Sequence, residues 1–284
     1  MKKWAVLFLA LLLAPHTAFS QETTSDLGLR IIPFTYSDSD VKSDGITAGL
    51  YTYLAIGDYH SLETDIAYTR IGLDDRDDLR EWNYTAFYTH YRTHYRFRGG
   101  LHFVSSNYSA VDGAVTLGGG IGYERNGRWD AALDGFFTWY NDDSPDLEIY
   151  QLTPAIGWYF MKSPDAGLRL QLKGFYIHAD ADPAFFGGDD DYLSAETELS
   201  WYSGSLVLRG FGWAGEQLFP VRENGFERYN LPDLLQGGYG AGLDYILDSG
   251  VRLRFETAVD LLDEGGTDAD PTLIRFQLVL GRSF

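Results

Sequence analysis

The stretch Val251–Leu261, VRLRFETAVDL, decides how the chain is read. Val251, Leu253, Phe255, Val259 and Leu261 are apolar, while Arg252, Arg254, Glu256 and Asp260 between them are charged. A period of two puts these sets on opposite faces of a β-strand, one greasy and one ionic. A helix would repeat near 3.6, and no sustained repeat of that kind follows the first twenty residues. The split recurs in Leu168/Leu170/Leu172 against Arg169/Gln171/Lys173, and in Leu193/Ala195/Thr197/Leu199/Trp201 against Ser194/Glu196/Glu198/Ser200. It returns in Tyr95/Phe97/Leu101/Phe103, whose opposite face carries Arg96, Arg98 and His102.

Extended along the chain, the alternation predicts about fourteen strands of roughly ten residues, with twelve as the alternative count, a length at which a tilted strand crosses a bilayer. Short connections fall near Gly57-Asp58-Tyr59, Arg92-Thr93, Arg125-Asn126-Gly127-Arg128, Ser163-Pro164-Asp165, Ser203-Gly204 and Asp248-Ser249-Gly250. Longer ones alternate with them, at about 37–44, 72–79, 105–113, 141–147, 179–191, 214–234 and 262–271. Strict alternation of short turns and long loops marks an all-β, antiparallel up-and-down transmembrane barrel. A soluble sandwich or lipocalin-like barrel would alternate too, but with shorter strands. It would also lack aromatics at strand ends on the apolar face, where Tyr95, Tyr123, Trp129, Trp158, Phe160, Trp201 and Tyr245 fall here.

Composition excludes other classes. Aromatics make up 16% of the 284 residues, too many for a disordered acidic chain. There is no cysteine, hence no disulfide, thiolate metal site or cysteine nucleophile. A formal charge of -19 repels nucleic-acid phosphate. Residues 1–20 read as a signal peptide: Lys2 and Lys3, an apolar run from Trp4 to Ala14, and Ala18-Phe19-Ser20 before a cut at Gln21. That run is too short for a membrane anchor. Residues 21–284 are expected to form a single barrel domain.

The chain ends TLIRFQLVLGRSF, with Ile274, Phe276, Leu278, Leu280 and Phe284 on one face. This segment resembles the terminal strand of Gram-negative outer-membrane β-barrel proteins, the part read by the barrel-assembly machinery. It departs at Arg282, where an aromatic is common. The resemblance implies export to the cell outer membrane, contact with lipid and lipopolysaccharide, and no cofactor. In size the chain is similar to small monomeric porins. Residues 21–26 leave no room for a plug domain, unlike a gated siderophore receptor.

Pore-lining positions follow from the polar face of each strand: Arg96, Arg98, His102, Arg169, Lys173, Arg252, Arg254 and Arg275, with Glu63, Asp65, Asp134, Glu196, Glu198, Asp244, Glu256 and Asp260. So many interior charges must be wet or paired. Register is expected to bring Lys173 near Glu198 and Arg254 near Asp244. The charges either orient solutes at a constriction or close the bore as salt bridges. Two glycine rows, Gly118/Gly120/Gly122 and Gly238/Gly240/Gly242, face inward; they either let Arg96, Arg98, Arg254 and Glu256 lie across them or permit strand bending. The 214–234 loop, with Leu218-Phe219-Pro220-Val221, folds inward or packs on its neighbours.

The expected function is passive diffusion of small hydrophilic solutes, leaning toward cations. The alternatives are a barrel hydrolase using the rim cluster His178, Asp180 and Asp182, or a non-transporting surface protein. Asp189-Asp190-Asp191 and the acidic run from Asp74 to Asp78 lack the ordered spacing of a calcium loop, so solvated acidic loops are the better reading. Charge also has a location. The seven long connections hold 24 acids and four bases, Lys42, Arg76, Arg222 and Arg228. The acidity therefore belongs to one rim.

Overall fold

The computed structural model describes residues 23–74, 76–125, 127–140, 147–163, 166–180, 190–264 and 270–284. The expected signal peptide and the side chains of Asp75, Asp182 and Asp189 lie outside these residues.

Among the described residues sixteen strands follow in chain order: β1 (Thr23–Ser37), β2 (Lys42–Ile56), β3 (His60–Leu73), β4 (Leu79–Arg92), β5 (Tyr95–Ser106), β6 (Val115–Arg125), β7 (Trp129–Trp139), β8 (Glu148–Lys162), β9 (Ala166–Asp180), β10 (Asp191–Ser203), β11 (Leu206–Leu218), β12 (Val221–Arg222), β13 (Glu227–Arg228), β14 (Leu234–Ile246), β15 (Val251–Asp263) and β16 (Thr272–Ser283). Fourteen of them, all but β12 and β13, close into one antiparallel barrel in sequence order, with β1 paired to β16. The barrel strands run from 11 residues in β6 to 15 in β1, longer than the alternation indicated. The short turns lie at one end of the barrel with Ser25 and Phe284, which bond each other there, and the long connections join the strands at the other.

Alternation is obeyed face by face. Leu27, Leu29 and Ile31 on β1 are exposed to the outside, as are Leu280 and Leu278 opposite Leu29 and Ile31 on β16, and Phe276 further along the same face. Aromatic rings collect toward both ends of this apolar belt. At the short-turn end Tyr123 lies 5.0 Å from Tyr95 and 5.3 Å from Trp129, between ring centroids. Toward the long-loop end Tyr68 and Trp82 are 5.1 Å apart, and Phe137 and Tyr150 4.8 Å. Tyrosine and tryptophan favour such positions because one part of the ring is apolar and the other polar.

A charge on the outer face has no counterpart to meet it. Leu278→Arg, at the middle of β16, is expected to destabilise the barrel by about 2–4 kcal/mol in lipid vesicles, measured by reversible denaturant unfolding. Leu278→Ala should cost clearly less.

Candidate functional site: the bore and its inward loop

The connection after β11 does not stay at the rim. A bulge near Glu216, where Gly215 takes a φ of 106°, and a second near Gln236 turn residues 219–233 into the barrel. Phe219, Val221, Asn230, Leu231 and Asp233 are all buried. Strands β12 and β13 pair with each other across a turn at Glu223–Gly225, giving a small hairpin inside the bore. At its tip Glu223 and Asn224 have φ of 46° and 56°, left-handed values that cost energy unless surroundings hold them. Arg98 from β5 donates to the Asn224 carbonyl and helps to do so.

The wall grips this hairpin through reciprocal polar contacts. Gln151 on β8 accepts from the Val221 N–H at 2.9 Å and donates to the Val221 carbonyl at 2.7 Å. Arg228 donates to Thr116 and Tyr140, each at 2.6 Å. Arg222 reaches Asp260 at 3.3 Å, and Arg275 joins Asp260 at 2.8 Å while pairing with Glu227. Asn230 donates to Glu81 at 2.6 Å. The root of the loop is fixed by Lys42, which pairs with Asp233 at 2.7 Å and Glu264 at 2.6 Å; all three are buried. Gly225 packs so close to Phe87 that a Cβ there would come within 2.5 Å of its ring.

Other interior charges pair along the wall. Arg30 meets Asp65 at 2.9 Å, Arg169 meets Asp130 at 2.8 Å, and Arg254 meets Asp244 at 2.7 Å as expected. Arg252, half exposed near the short turns, shares Asp244 at 3.1 Å. Lys173 pairs with Glu196 at 2.7 Å, not with Glu198. The register sets Lys173 directly against Glu196 and Glu198 against Gln171, one pleat away. His102 is buried in the wall, bonded to Thr85 at 2.7 Å and Asn83 at 2.9 Å.

The glycine rows are covered, though not throughout by the side chains expected. Arg96 does lie over Gly122. Arg98 leaves Gly120 and stacks 3.8 Å from the Phe87 ring centre, drawn by the inward hairpin. Gly118 sits beneath Phe87 and Phe136. In the second row Gly238, Gly240 and Gly242 lie under Trp213, Phe211 and Arg209 of β11, with Glu256 beside Gly242; Arg254 turns instead to Asp244.

At the rim, His178 bonds Asp191 at 3.0 Å, and Tyr176 bonds the same carboxylate oxygen at 2.7 Å. Asp180 faces Glu148 across the ladder rather than joining the imidazole. The His178 ring lies 6.2 Å from Tyr150, among the tyrosines of the outer belt. Of the acidic runs, Asp78 pairs with Arg70 at 2.6 Å. Among the described residues no three carboxylates or imidazoles gather in a way that could hold a metal ion.

Among the described residues, cavities adjoin one another through the barrel. An outer vestibule of about 460 Å³ at the long-loop end shares Ile71, Leu79 and Leu231 with an upper chamber of about 130 Å³. Arg222, Glu227 and Arg275 separate that chamber from a lower one of about 50 Å³. Glu198, Glu223 and Asn224 are among the residues between this and an inner vestibule of about 620 Å³ at the short-turn end.

Solved structures share this architecture. The toluene transporter TbuX of Ralstonia pickettii has 9% identity and a TM-score of 0.55, over 97% of this chain and 93% of that one. The CymD monoaromatic hydrocarbon channel has 10% identity and a TM-score of 0.54, over 97% and 92%. OccAB1 of Acinetobacter baumannii has 10% identity and a TM-score of 0.50, over 95% and 99%. The fold is that of the Gram-negative outer-membrane β-barrels. No protein-family model matches the chain, and no curated protein matches it.

Lys42→Met leaves Asp233 and Glu264 buried without their cation, a loss of about 3–5 kcal/mol for a pair broken on one side. The expected result is a loosened loop, read as tryptic cleavage after Arg222 or Arg228 in liposome-inserted protein. The parent chain should resist under the same conditions.

Proposed function

We infer that the chain is an outer-membrane channel for passive diffusion of small hydrophilic solutes, with a preference for cations. The observation that carries this reading is the series of adjoining chambers beside the inward hairpin, pinched where Arg275, Glu227 and Arg222 meet. A closed barrel built only for anchorage has no need of charged cavities from rim to rim. The fold neighbours described as a transporter and a channel support the same reading.

The cation preference follows from the narrow lower chamber. Its walls carry four bases, Lys173, Arg209, Arg222 and Arg275, and six carboxylates, Asp134, Glu196, Glu198, Glu223, Glu227 and Glu256. Glu223 belongs to the loop and not to a spanning strand. Its burial would raise the carboxyl, but Lys173, Arg209, Arg254 and Arg275 around it hold it below its ordinary value. The acidic form is therefore disfavoured and the negative charge persists on mild acidification. At the rim, the excess of acid would gather cations and bridge to lipopolysaccharide through divalent ions.

Planar-bilayer recording with a salt gradient tests the reading. A small conductance is expected, with a reversal potential of cationic sign that is flat between about pH 8 and pH 5. Deleting residues 221–229 should raise the conductance several-fold. A silent membrane with both proteins would favour a non-transporting surface protein.

Glu223→Gln should move the reversal potential toward zero while leaving the conductance of the same order. The comparison is made at low salt, where screening is weakest.

A further inference from the structure

The outward face of the barrel is polarised from one rim to the other. Toward the long loops it ends in acids on neighbouring strands: Glu148 stands opposite Asp180, and Asp191 opposite His178. Toward the short turns its charged side chains, among the described residues, are bases. Arg92 continues the outward set Trp82 and Tyr88 of β4, and Arg125 continues Leu117, Ile121 and Tyr123 of β6. Both arginines are exposed, and neither pairs with a carboxylate among the described residues. Arg128, in the turn that follows β6, is exposed as well. The nearby acids Glu124, Asp130 and Asp134 alternate onto the inward face and border the inner vestibule, where Arg169 takes Asp130 at 2.8 Å. Asp58 and Asp248 belong to the turns before β3 and β15, outside the β4–β7 segment.

An aromatic platform joins the two arginines. Register sets Arg92 beside Tyr95, Tyr95 beside Tyr123, and Arg125 beside Trp129. The rings follow in series, 5.0 Å from Tyr95 to Tyr123 and 5.3 Å from Tyr123 to Trp129 between centroids. Arg92 and Arg125 are two strands apart, about 10 Å across the sheet, a gap that two guanidinium side chains can close over one phosphate. Tyrosine and tryptophan mark the level of the lipid headgroups. Further along the same strands Phe97, Ile121 and Leu133 are exposed, forming an apolar floor toward the middle of the bilayer. Arg92 stands at the lip and borders the inner vestibule as well. These charges lie at the edge of the belt, where an arginine costs little and meets phosphate in place of hydrocarbon.

We propose that the outward rim of β4–β7 at the short-turn end is a binding site for an anionic glycerophospholipid, one whose headgroup carries a phosphate and no ammonium. Short turns of such barrels face the periplasm, so this rim meets the inner leaflet of the outer membrane. The phosphate accepts from the guanidiniums of Arg92 and Arg125 in charge-assisted bonds. The hydroxyls of Tyr95 and Tyr123 and the indole N–H of Trp129 donate to the glycerol and ester oxygens, and the acyl chains lie on Phe97, Ile121 and Leu133. A zwitterionic headgroup brings the same phosphate with a cation attached, and that cation would face arginines with no carboxylate to receive it. Charge complementarity therefore selects the anionic lipid. The site rests on the barrel's place in the outer membrane and is independent of whether the bore conducts.

Native mass spectrometry of the detergent-purified full chain provides the test, with phosphatidylglycerol, phosphatidylethanolamine and phosphatidylcholine of identical acyl chains. The first phosphatidylglycerol is expected to bind about tenfold more tightly than either zwitterionic lipid. The double variant Arg92→Gln/Arg125→Gln should bring the three lipids within about twofold of one another. Arg282→Gln removes another outward base at the same end, one that lies over Phe284 on the far side of the β4–β7 wall, and should leave the preference intact. Glycerol 3-phosphate, the headgroup without its chains, should not displace the bound lipid. Each variant is first shown to be folded by β-sheet circular dichroism and heat-modifiable migration. Equal affinities for the three lipids in the parent chain, or a preference that survives the double variant, overturns the site. A preference lost as fully in Arg282→Gln reports only the overall charge of the rim and overturns it too. Displacement by glycerol 3-phosphate assigns a site for free phosphate and overturns the lipid.

Discussion

Closing fourteen strands into a barrel places one face of every strand where a charge must meet water or an opposite charge. That constraint organises the whole interior. Arg30, Arg169, Lys173, Arg209 and Arg254 each have a carboxylate within 3 Å on the wall itself. Arg275 and Lys42 are paired partly with residues of the inward loop, Glu227 and Asp233. Asp260 is shared between the loop's Arg222 and the wall's Arg275. The hairpin is thus a component of the charge balance of the wall.

This explains why the loop turns inward. Residues 219–231 combine an apolar lead, Phe219-Pro220-Val221, with charges of both signs, Arg222, Glu223, Glu227 and Arg228. The apolar lead is buried, Phe219 packing against Tyr140 at the top and Val221 with Phe87 and Phe136 below. The charged part then finds opposite charges already waiting on β15 and β16. The other long loops are acidic with hardly any base, and would meet no such complement. Moving Lys42, Arg222 and Arg228 inward together with Glu223, Glu227, Asp233 and Glu264 changes the net acidity of the rim by only one charge.

Much of the barrel was legible because a period of two is a local property of sequence. Strand count, the alternation of short turns and long loops, the outward set Phe276, Leu278 and Leu280, and the inward faces of β5, β9 and β15 all follow from it. Pairings across long loops were not legible. Lys173 took Glu196 over Glu198 because register is set by the packed wall, not by loop length. Arg98 left Gly120 for Phe87 because the hairpin brings Asn224 and Phe226 beside it, and no strand pattern announces a loop folded inside. His178 found Asp191 on the neighbouring strand in preference to Asp180 on its own. Arg209 escaped notice because glycines at Gly210 and Gly212 hide the apolar face that would mark its strand.

The sequence by itself determined that this chain is a barrel, which side of each strand is greasy, and that its acids gather in the long connections. Those features depend on neighbours two residues apart or on counts along the chain. Only the tertiary structure decided where the bore narrows and which charges face one another there. Those depend on residues far apart in sequence, such as Arg30, Arg228 and Arg275 around one chamber, meeting when the sheet closes and the hairpin enters it.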